Sequence, residues 1–470
     1  MFGNGCAGCV AGQWCSFEIE IRPPANWVLP ATEAFVDLLL VELWGPAIAY
    51  AEVKKEAGDN RRWRVSYRIW DAGKYVVTVT SGCSNLNYSS QFAQQGIDPF
   101  ANWTLSVDHP FANYSPARAS AELSANSDSN LVSEGRGEAE GEAEREAEGE
   151  EDWRREAKLE WQQAPCDQSV AGRWLVEQNA YRWRFYPCAS PLPPPFQWVE
   201  ALQARGIREI SFVGDSHQRF LMLFINYLVM HDIDDALWKY HGDIVIKVPP
   251  PKGRRDLQPL RLNFFWVDGM YQNGEYGCVR RGFWSHRNDS FPEVSASADV
   301  TIIDGGFWTA CQCNESEQAF NKHLPEYVSW ARRQLDRLHL WHGEHKGEGH
   351  RRGVEGVGAS NSGGLSGKPW MLYRSILPWK ANGTCGGSLV TNSLIEHMNE
   401  IIKGEIQRYG IGYLDGWPVE APRYFDTCKE KDIHYTCHQA DTHNKNGKFV
   451  GEVGEAMVLN TMYTLLNKLE

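Results

Sequence analysis

Two periodicities divide the chain. From residue 15 to about 115, apolar residues tend to recur at every second position. Phe17-Glu-Ile-Glu-Ile21 and Arg64-Val-Ser-Tyr-Arg-Ile-Trp70 alternate, and Asp71-Ala-Gly73 turns the chain into Lys74-Tyr-Val-Val-Thr-Val-Thr80. Phe35 to Trp44 is instead a continuous apolar run with β-branched members. Strands at this spacing predict a small β-sandwich. Over residues 116–160 the pattern gives way to Glu, Ala, Gly and Ser, the composition of a disordered acidic linker.

From Trp161 onward, apolar runs of strand length alternate with longer helical ones. Strands are expected at Ile207–Val213, Asp243–Val248, Leu260–Val267, Ala298–Ile303, Trp370–Arg374 and Ile411–Asp415. Helices are expected at 217–230, 324–338 and 391–407, and in the closing run Ala456 to Leu469. Alternation of this kind over about 300 residues predicts a parallel α/β sheet with helices on both faces. The expected organisation is a β-sandwich over 1–115, the linker, and an α/β domain over 161–470. The Gly-, Ser- and His-rich stretch 342–368, with His342, His345 and His350, reads as a disordered surface insertion rather than a metal site.

Composition changes this picture in two ways. The formal net charge is −13, but Glu134 to Asp152 alone contributes −8, so the rest of the chain is close to neutral. With no basic patch, nucleic-acid binding is excluded as an expectation. Twelve cysteines and six N-x-S/T sequons (Asn87, Asn102, Asn113, Asn288, Asn314 and Asn382) favour a glycosylated, disulfide-containing protein of the Golgi lumen or extracellular space. Cys6-Ala-Gly-Cys9 and Cys311-Gln-Cys313 have no second ligand pair at zinc spacing, so disulfides are expected and no metal. No run reaches the ~18 apolar residues of a membrane span. Met1 leads into Gly- and Cys-containing sequence without the pattern of a secretion signal, which leaves three alternatives: an incomplete N-terminus, a signal already removed, or no lumenal location. Twenty tryptophans suit sugar-stacking surfaces, though most tryptophans serve cores.

The candidate chemistry sits where the first α/β strand meets its helix. Gly214-Asp-Ser216 is a sharp turn, and Arg219 follows one helical turn on. A serine here lies beside free helix-terminal amides and the positive end of the helix dipole. That setting suits a nucleophile whose tetrahedral intermediate needs an oxyanion hole. Asp and Ser are equally good helix caps, which is the plain structural reading of the same triplet.

Gly-Asp-Ser-x-x-Arg after a strand resembles the first block of the GDSL/SGNH hydrolases. More narrowly it resembles their PC-esterase branch: the trichome birefringence-like proteins, the sialic-acid O-acetyltransferase domains and the NXPE-like proteins. Lys431-Asp-Ile-His-Tyr435, then Val450-Gly-Glu-Val-Gly454 and the closing apolar run, is similar to their C-terminal Asp-x-x-His block and last helix. Cys166 to Trp174, Tyr181-Arg-Trp183 and Pro187-Cys188 resemble their lead-in segment. Tyr67-x-x-Trp-Asp-Ala-Gly-Lys-Tyr-Val-Val-Thr-Val79 resembles the late strands of filamin-type immunoglobulin-like repeats.

The resemblance implies Ser216 as nucleophile, His434 as general base and a carboxylate to orient the imidazole. Where the family carries that acid stands Lys431; Asp432 is two residues before His434, and Asp415, Asp426 and Asp441 are further candidates, with His443 as an alternative base. The family's Asn-x-Gly-x-Trp strand end falls on Asp304, Gly306 and Trp308, so a carboxylate replaces an amide donor; backbone amides at Gly305 and Gly306 are the remaining oxyanion donors. Arg219 is expected to be structural or substrate-facing. The implied activity is O-acetyl transfer to, or hydrolysis from, carbohydrate hydroxyls. No cofactor is resident, and an acyl donor such as acetyl-CoA serves the transferase case. The rival expectation is a non-catalytic glycan- or protein-binding ectodomain.

Overall fold

The structure, a computed structural model, describes residues 8–20, 38–56, 61–82, 101–108, 172–177, 180–186, 189–231, 236–237, 240, 242–267, 292–305, 316–345, 369–378, 384–385, 388–389, 392–423, 436–438, 448–450 and 452–469. The expected linker 116–160 and most of the expected insertion 342–368 lie outside them.

The N-terminal region is all β. Its strands are β1 (Gly8–Val10), β2 (Trp14–Glu20), β3 (Leu38–Trp44), β4 (Ile48–Tyr50), β5 (Glu52–Lys55), β6 (Arg62–Arg68), β7 (Gly73–Gly82) and β8 (Ala101–Asp108). They form a five-stranded sheet, β1-β8-β7-β3-β4, and a three-stranded sheet, β2-β6-β5. Alternation explains the core: Phe17, Ile19, Trp63, Val65, Tyr67, Tyr75, Val77 and Val79 are buried together, while Arg62, Arg64, Lys74 and Val76 are exposed. A disulfide joins Cys9 to Cys15.

β3 departs from alternation because both of its faces are covered. Leu39, Val41 and Leu43 enter the N-terminal core, whereas Leu40 joins the core around the later helices. The continuous apolar run in the sequence has this cause.

A hairpin follows, β9 (Gly172–Glu177) with β10 (Ala180–Phe185). It contacts both neighbours. Arg173 makes a two-pronged ion pair with Asp71 at 2.6 and 2.8 Å, Val176 N–H donates to Pro46 O at 2.9 Å, and Tyr181 OH donates to Gly45 O at 3.1 Å. In the other direction, the Trp174 indole N–H donates to Val419 O at 2.7 Å, and Arg423 donates to Tyr181 O at 2.6 Å.

The larger sheet uses β11 (Glu209–Gly214), β12 (Ile244–Val248), β13 (Leu260–Trp266), β14 (Val300–Ile303), β15 (Trp370–Arg374) and, after the short pair β16 (Thr384–Cys385) and β17 (Ser388–Leu389), β18 (Gly412–Leu414). Its order is β12-β13-β11-β14-β15-β18. All neighbours are parallel except β12, which runs antiparallel to β13. The sheet is therefore mixed, not wholly parallel. An edge strand has one partner, and the return from β12 to β13 is short enough for an antiparallel connection.

The helices are α1 (Trp198–Ala204), α2 (Ser216–Met230), α3 (Ser316–His345), α4 (Asn392–Gln407), α5 (Trp417–Glu420) and α6 (Glu452–Tyr463), the last followed by a π-helical turn Thr464–Lys468. Alternate strand residues feed two cores. Ile210, Phe212, Val300, Ile302 and Leu372 pack with α1, α2 and α6, and Val213, Ile303, Met371 and Tyr373 pack with α3 and α4. Two-sided burial makes β11 and β14 apolar runs rather than alternating ones. The helix α3 continues to His345, beyond the expected end at 338. His342 lies in its last turns with Nε2 3.1 Å from Ala298 O, so the insertion begins later than the composition suggests.

Candidate functional site at the carboxyl edge of the mixed sheet

β11 is the third strand of six, and its carboxyl end delivers Gly214 and Asp215 to the start of α2. Three adjacent strand ends are tied there. Val267 N–H donates to Gly214 O at 2.9 Å, and Asp304 N–H donates to Val213 O at 2.8 Å. Gly214 is required by close approach: a Cβ there would stand 2.9 Å from Asp304 O and 2.6 Å from Gln218 Cγ.

Asp215 is the N-cap of α2, and its Oδ1 accepts from His217 N–H at 2.8 Å. Ser216 is the first helical residue and is 7% exposed. At this turn Asp215 does the capping, and Ser216 is the first helical residue beside it. His217 and Gln218 are also buried, and the Gln218 amide donates to Ile302 O at 3.3 Å, tying α2 to β14.

Arg219 is turned into the protein. It is buried, one guanidinium nitrogen donates to Tyr240 O, and the group lies 5.1 Å from the Phe220 ring centre and 5.5 Å from that of Trp266. Burial pulls its pKa down to about 10, partly opposed by the Asp215 carboxylate, so it remains charged at neutral pH. Its described contacts are those of a structural cation packed among rings.

Asp304 and Gly305 follow β14 on the neighbouring strand end. Asp304 is 1% exposed. Gly305 lies against Tyr327 of α3, where a Cβ would come within 2.8 Å of the ring. Burial, and then the Asp304 and Asp215 carboxylates, push the Tyr327 hydroxyl well above its ordinary pKa, so it is a neutral phenol. Tyr373, whose ring centre is 6.3 Å from that of Tyr327, is raised for the same first reason and then by Asp304.

Behind these lies a buried ion pair. Arg374, ending β15, donates to Glu420 of α5 at 2.5 Å, with side chains 2% and 1% exposed. Burial pushes the Glu420 carboxyl up, Arg374 pulls it back, and Asp304 and Asp415 push it up again. Asp415, after β18, accepts from Trp417 N–H at 3.3 Å through Oδ1 and from Asn460 of α6 at 3.0 Å through its carbonyl. Ser375 Oγ accepts from Gly416 N–H at 2.9 Å. Four strand ends therefore converge on one rim of carboxylates, neutral phenols and inward-turned arginines.

Of the residues singled out in the sequence, Ser216, Arg219, Asp304, Gly305 and the candidate acid Asp415 are described and belong to this rim. His434, Asp432, Gly306, Trp308, Asp426, Asp441 and His443 lie outside the described residues. The chain is described again at β19 (Thr436–His438), two residues past His434; β19 pairs with β20 (Lys448–Val450), and β20 packs against α2. The Arg374–Glu420 pair escaped sequence reasoning. An arginine closing the apolar strand Trp370–Arg374 was its available signal; Glu420 has none.

Among the described residues, no group of three or more His, Cys, Asp or Glu side chains is arranged to hold a metal ion, and no helix is long and apolar enough to cross a membrane. An open groove on α3, lined by Asp336, His339, Leu340, Gly343 and Glu344, includes none of the rim residues. No protein-family model matches the chain, and no characterised protein matches it.

Proposed function

We propose that the protein is a serine-dependent O-acyl enzyme of the SGNH type, acting on carbohydrate hydroxyls in the secretory pathway. The observation that carries this reading is Ser216 at the first position of α2, directly after a buried parallel strand and beside the Asp304–Gly305 strand end. Ligand sites of open α/β sheets form outside the strand carboxyl ends. In this reading the mixed sheet with its two helical layers is an SGNH-like domain, and the N-terminal sheets are a filamin-type immunoglobulin-like sandwich.

The chemistry follows from the residues. Ser216 Oγ attacks the acyl carbonyl while His434 takes its proton, with Asp432 or another carboxylate holding the imidazole; the bond to the sugar oxygen or the donor's sulfur then breaks, and His434 returns the proton to that leaving group. Amides at Ser216, Gly305 and Gly306 receive the oxyanion. The acyl-serine then passes its group to a sugar hydroxyl or to water; an acetyl donor such as acetyl-CoA is required in the transferase case. The Cys9–Cys15 disulfide and the six sequons support the lumenal setting.

Two observations favour a second reading, a glycan- or protein-binding ectodomain without catalysis. Arg219 is engaged internally with Tyr240 O, and Asp304 offers a carboxylate where an amide would donate. A hydroxyl-reactive fluorophosphonate distinguishes the two. The enzyme reading expects labelling that disappears in Ser216→Ala; absence of labelling in a folded wild-type protein favours the binding module.

A further inference from the structure

β3 carries a carboxylate on the face that meets the larger domain. Strand alternation places Glu42 on the same side as Leu40, and Leu40 packs in one core with Leu394, Ile395 and Met398 of α4. Helix α4 lies across β3 and β7. Glu42 is 6% exposed, and its Oε1 accepts from the Tyr50 hydroxyl at 3.0 Å. Tyr50 in turn reaches across the boundary, its ring centre 6.3 Å from that of Trp417.

Hydrogen-bond donors on Tyr50, Trp44 and Thr78 hold this carboxyl, and the further acids gather around Glu396 of α4. β7 contributes Thr78, the cross-strand partner of Glu42. α4 contributes Glu396, with His397, Glu400 and Lys403 on the same helix. β18 and the turn after it contribute Tyr413 and Asp415. The charges acting on Glu396 are those of Glu400, Glu42 and Asp415. Lys403 is 3.9 Å from Glu400 and lies over the Tyr413 ring at 5.4 Å.

We infer that the contact between β3 and α4 is a proton-dependent docking surface: the N-terminal sheets and the larger domain hold together when Glu42 and Glu396 are protonated, and the contact loosens as they ionise. Two like carboxylates brought into one poorly hydrated interface cannot both ionise cheaply. The energetics agree with the geometry. Burial raises Glu42 from 4.5 to about 7, with hydrogen bonds from Tyr50, Trp44 and Thr78 opposing it. Burial and then the neighbouring acids raise Glu396 from 4.5 to about 8.

The sign is fixed by linkage. The docked state binds more protons than the open state between pH 4.5 and about 7 to 8, so docking is strongest at acid pH and falls as pH rises through that window. Glu42 alone changes the opening equilibrium about tenfold per pH unit within its range. Glu396 is half-buried, and water screens part of its contribution.

The test is hydrogen exchange of the full-length chain at pH 5.5, 7 and 8.5, corrected for intrinsic exchange rates, with peptides from β3 and α4 compared with β11. Protection in β3 and α4 should fall at least about tenfold between pH 5.5 and 7, while β11 changes little. Glu42→Gln/Glu396→Gln should remove that dependence, since the amide oxygen introduced on β3 still accepts from the Tyr50 hydroxyl. Glu405→Gln, further along α4 and paired with Arg408, should keep it. Should the double variant fail to fold, Glu396→Gln alone should make the fall in protection smaller and end it near pH 7, where Glu42 completes its ionisation, rather than near pH 8. Equal protection of β3 and α4 at all three pH values, or an unchanged pH dependence in the Gln variants, would overturn the inference.

Discussion

The rim of the mixed sheet and the β3–α4 contact bury acids in opposite ways. At the rim, Asp215 is bonded to a helix amide and Glu420 is bonded to Arg374, so each acid has a partner suited to its ionised form. At the β3–α4 contact, Glu42 has neutral hydrogen-bond donors, Tyr50, Trp44 and Thr78, and Glu396 has the charges of Glu400, Glu42 and Asp415 around it. Arg374 pulls the buried Glu420 carboxyl back toward its ionised form, although burial still holds it up at about 7; Glu396, with Glu400, Glu42 and Asp415 as neighbouring charges, has no such counterweight. A nucleophilic serine needs the first kind of surroundings. A contact between domains can tolerate the second.

The largest effect expected from breaking this contrast is at Arg374. Arg374→Met leaves the Glu420 carboxylate buried without its partner and should destabilise the protein by about 3–5 kcal/mol, measured by denaturant unfolding. Arg374→Met/Glu420→Leu should recover most of that loss, because the remaining charge is gone as well. An additive double variant would mean that the two side chains do not act as a unit.

Gly214→Ala comes next. The added methyl meets Asp304 O and Gln218 Cγ, so the β11–α2 turn must shift; about 1–3 kcal/mol of stability and a larger share of any Ser216 reactivity should be lost. The stability of the wild-type protein should also fall between pH 5 and 8 because of Glu42 and Glu396, and thermal midpoints of the wild type and the Gln variants should converge at acid pH. The smallest effect is Asp215→Asn, which keeps the cap on His217 N–H but removes the charge; it should change stability by less than about 1 kcal/mol.

Much of the fold is legible in the chain's patterning, for reasons visible in particular residues. Val300–Ile303 and Glu209–Gly214 are apolar because both faces of their sheet are covered, and the expected strands fall there. The direction of β12 is not encoded in its own residues, so the antiparallel edge is invisible in the pattern. The hairpin β9–β10 reads in sequence only as a cysteine- and tryptophan-containing lead-in; its strands owe their placement to contacts with Asp71, Pro46 and Val419, all distant in sequence. The same holds at the rim. The Ser216 turn is local and can be recognised as a triplet. Glu420 and Tyr327 arrive from elements more than a hundred residues away, and nothing in their own segments announces it.

The central claim is that Ser216 is a nucleophile. The most direct measurement is intact-mass and peptide mass spectrometry of the full-length protein after incubation with a fluorophosphonate or an activated acetyl ester. The account predicts a single covalent adduct on the peptide containing Ser216, abolished in Ser216→Ala with the thermal midpoint nearly unchanged. A folded wild-type protein that forms no adduct at Ser216, or one labelled equally in Ser216→Ala, would contradict it.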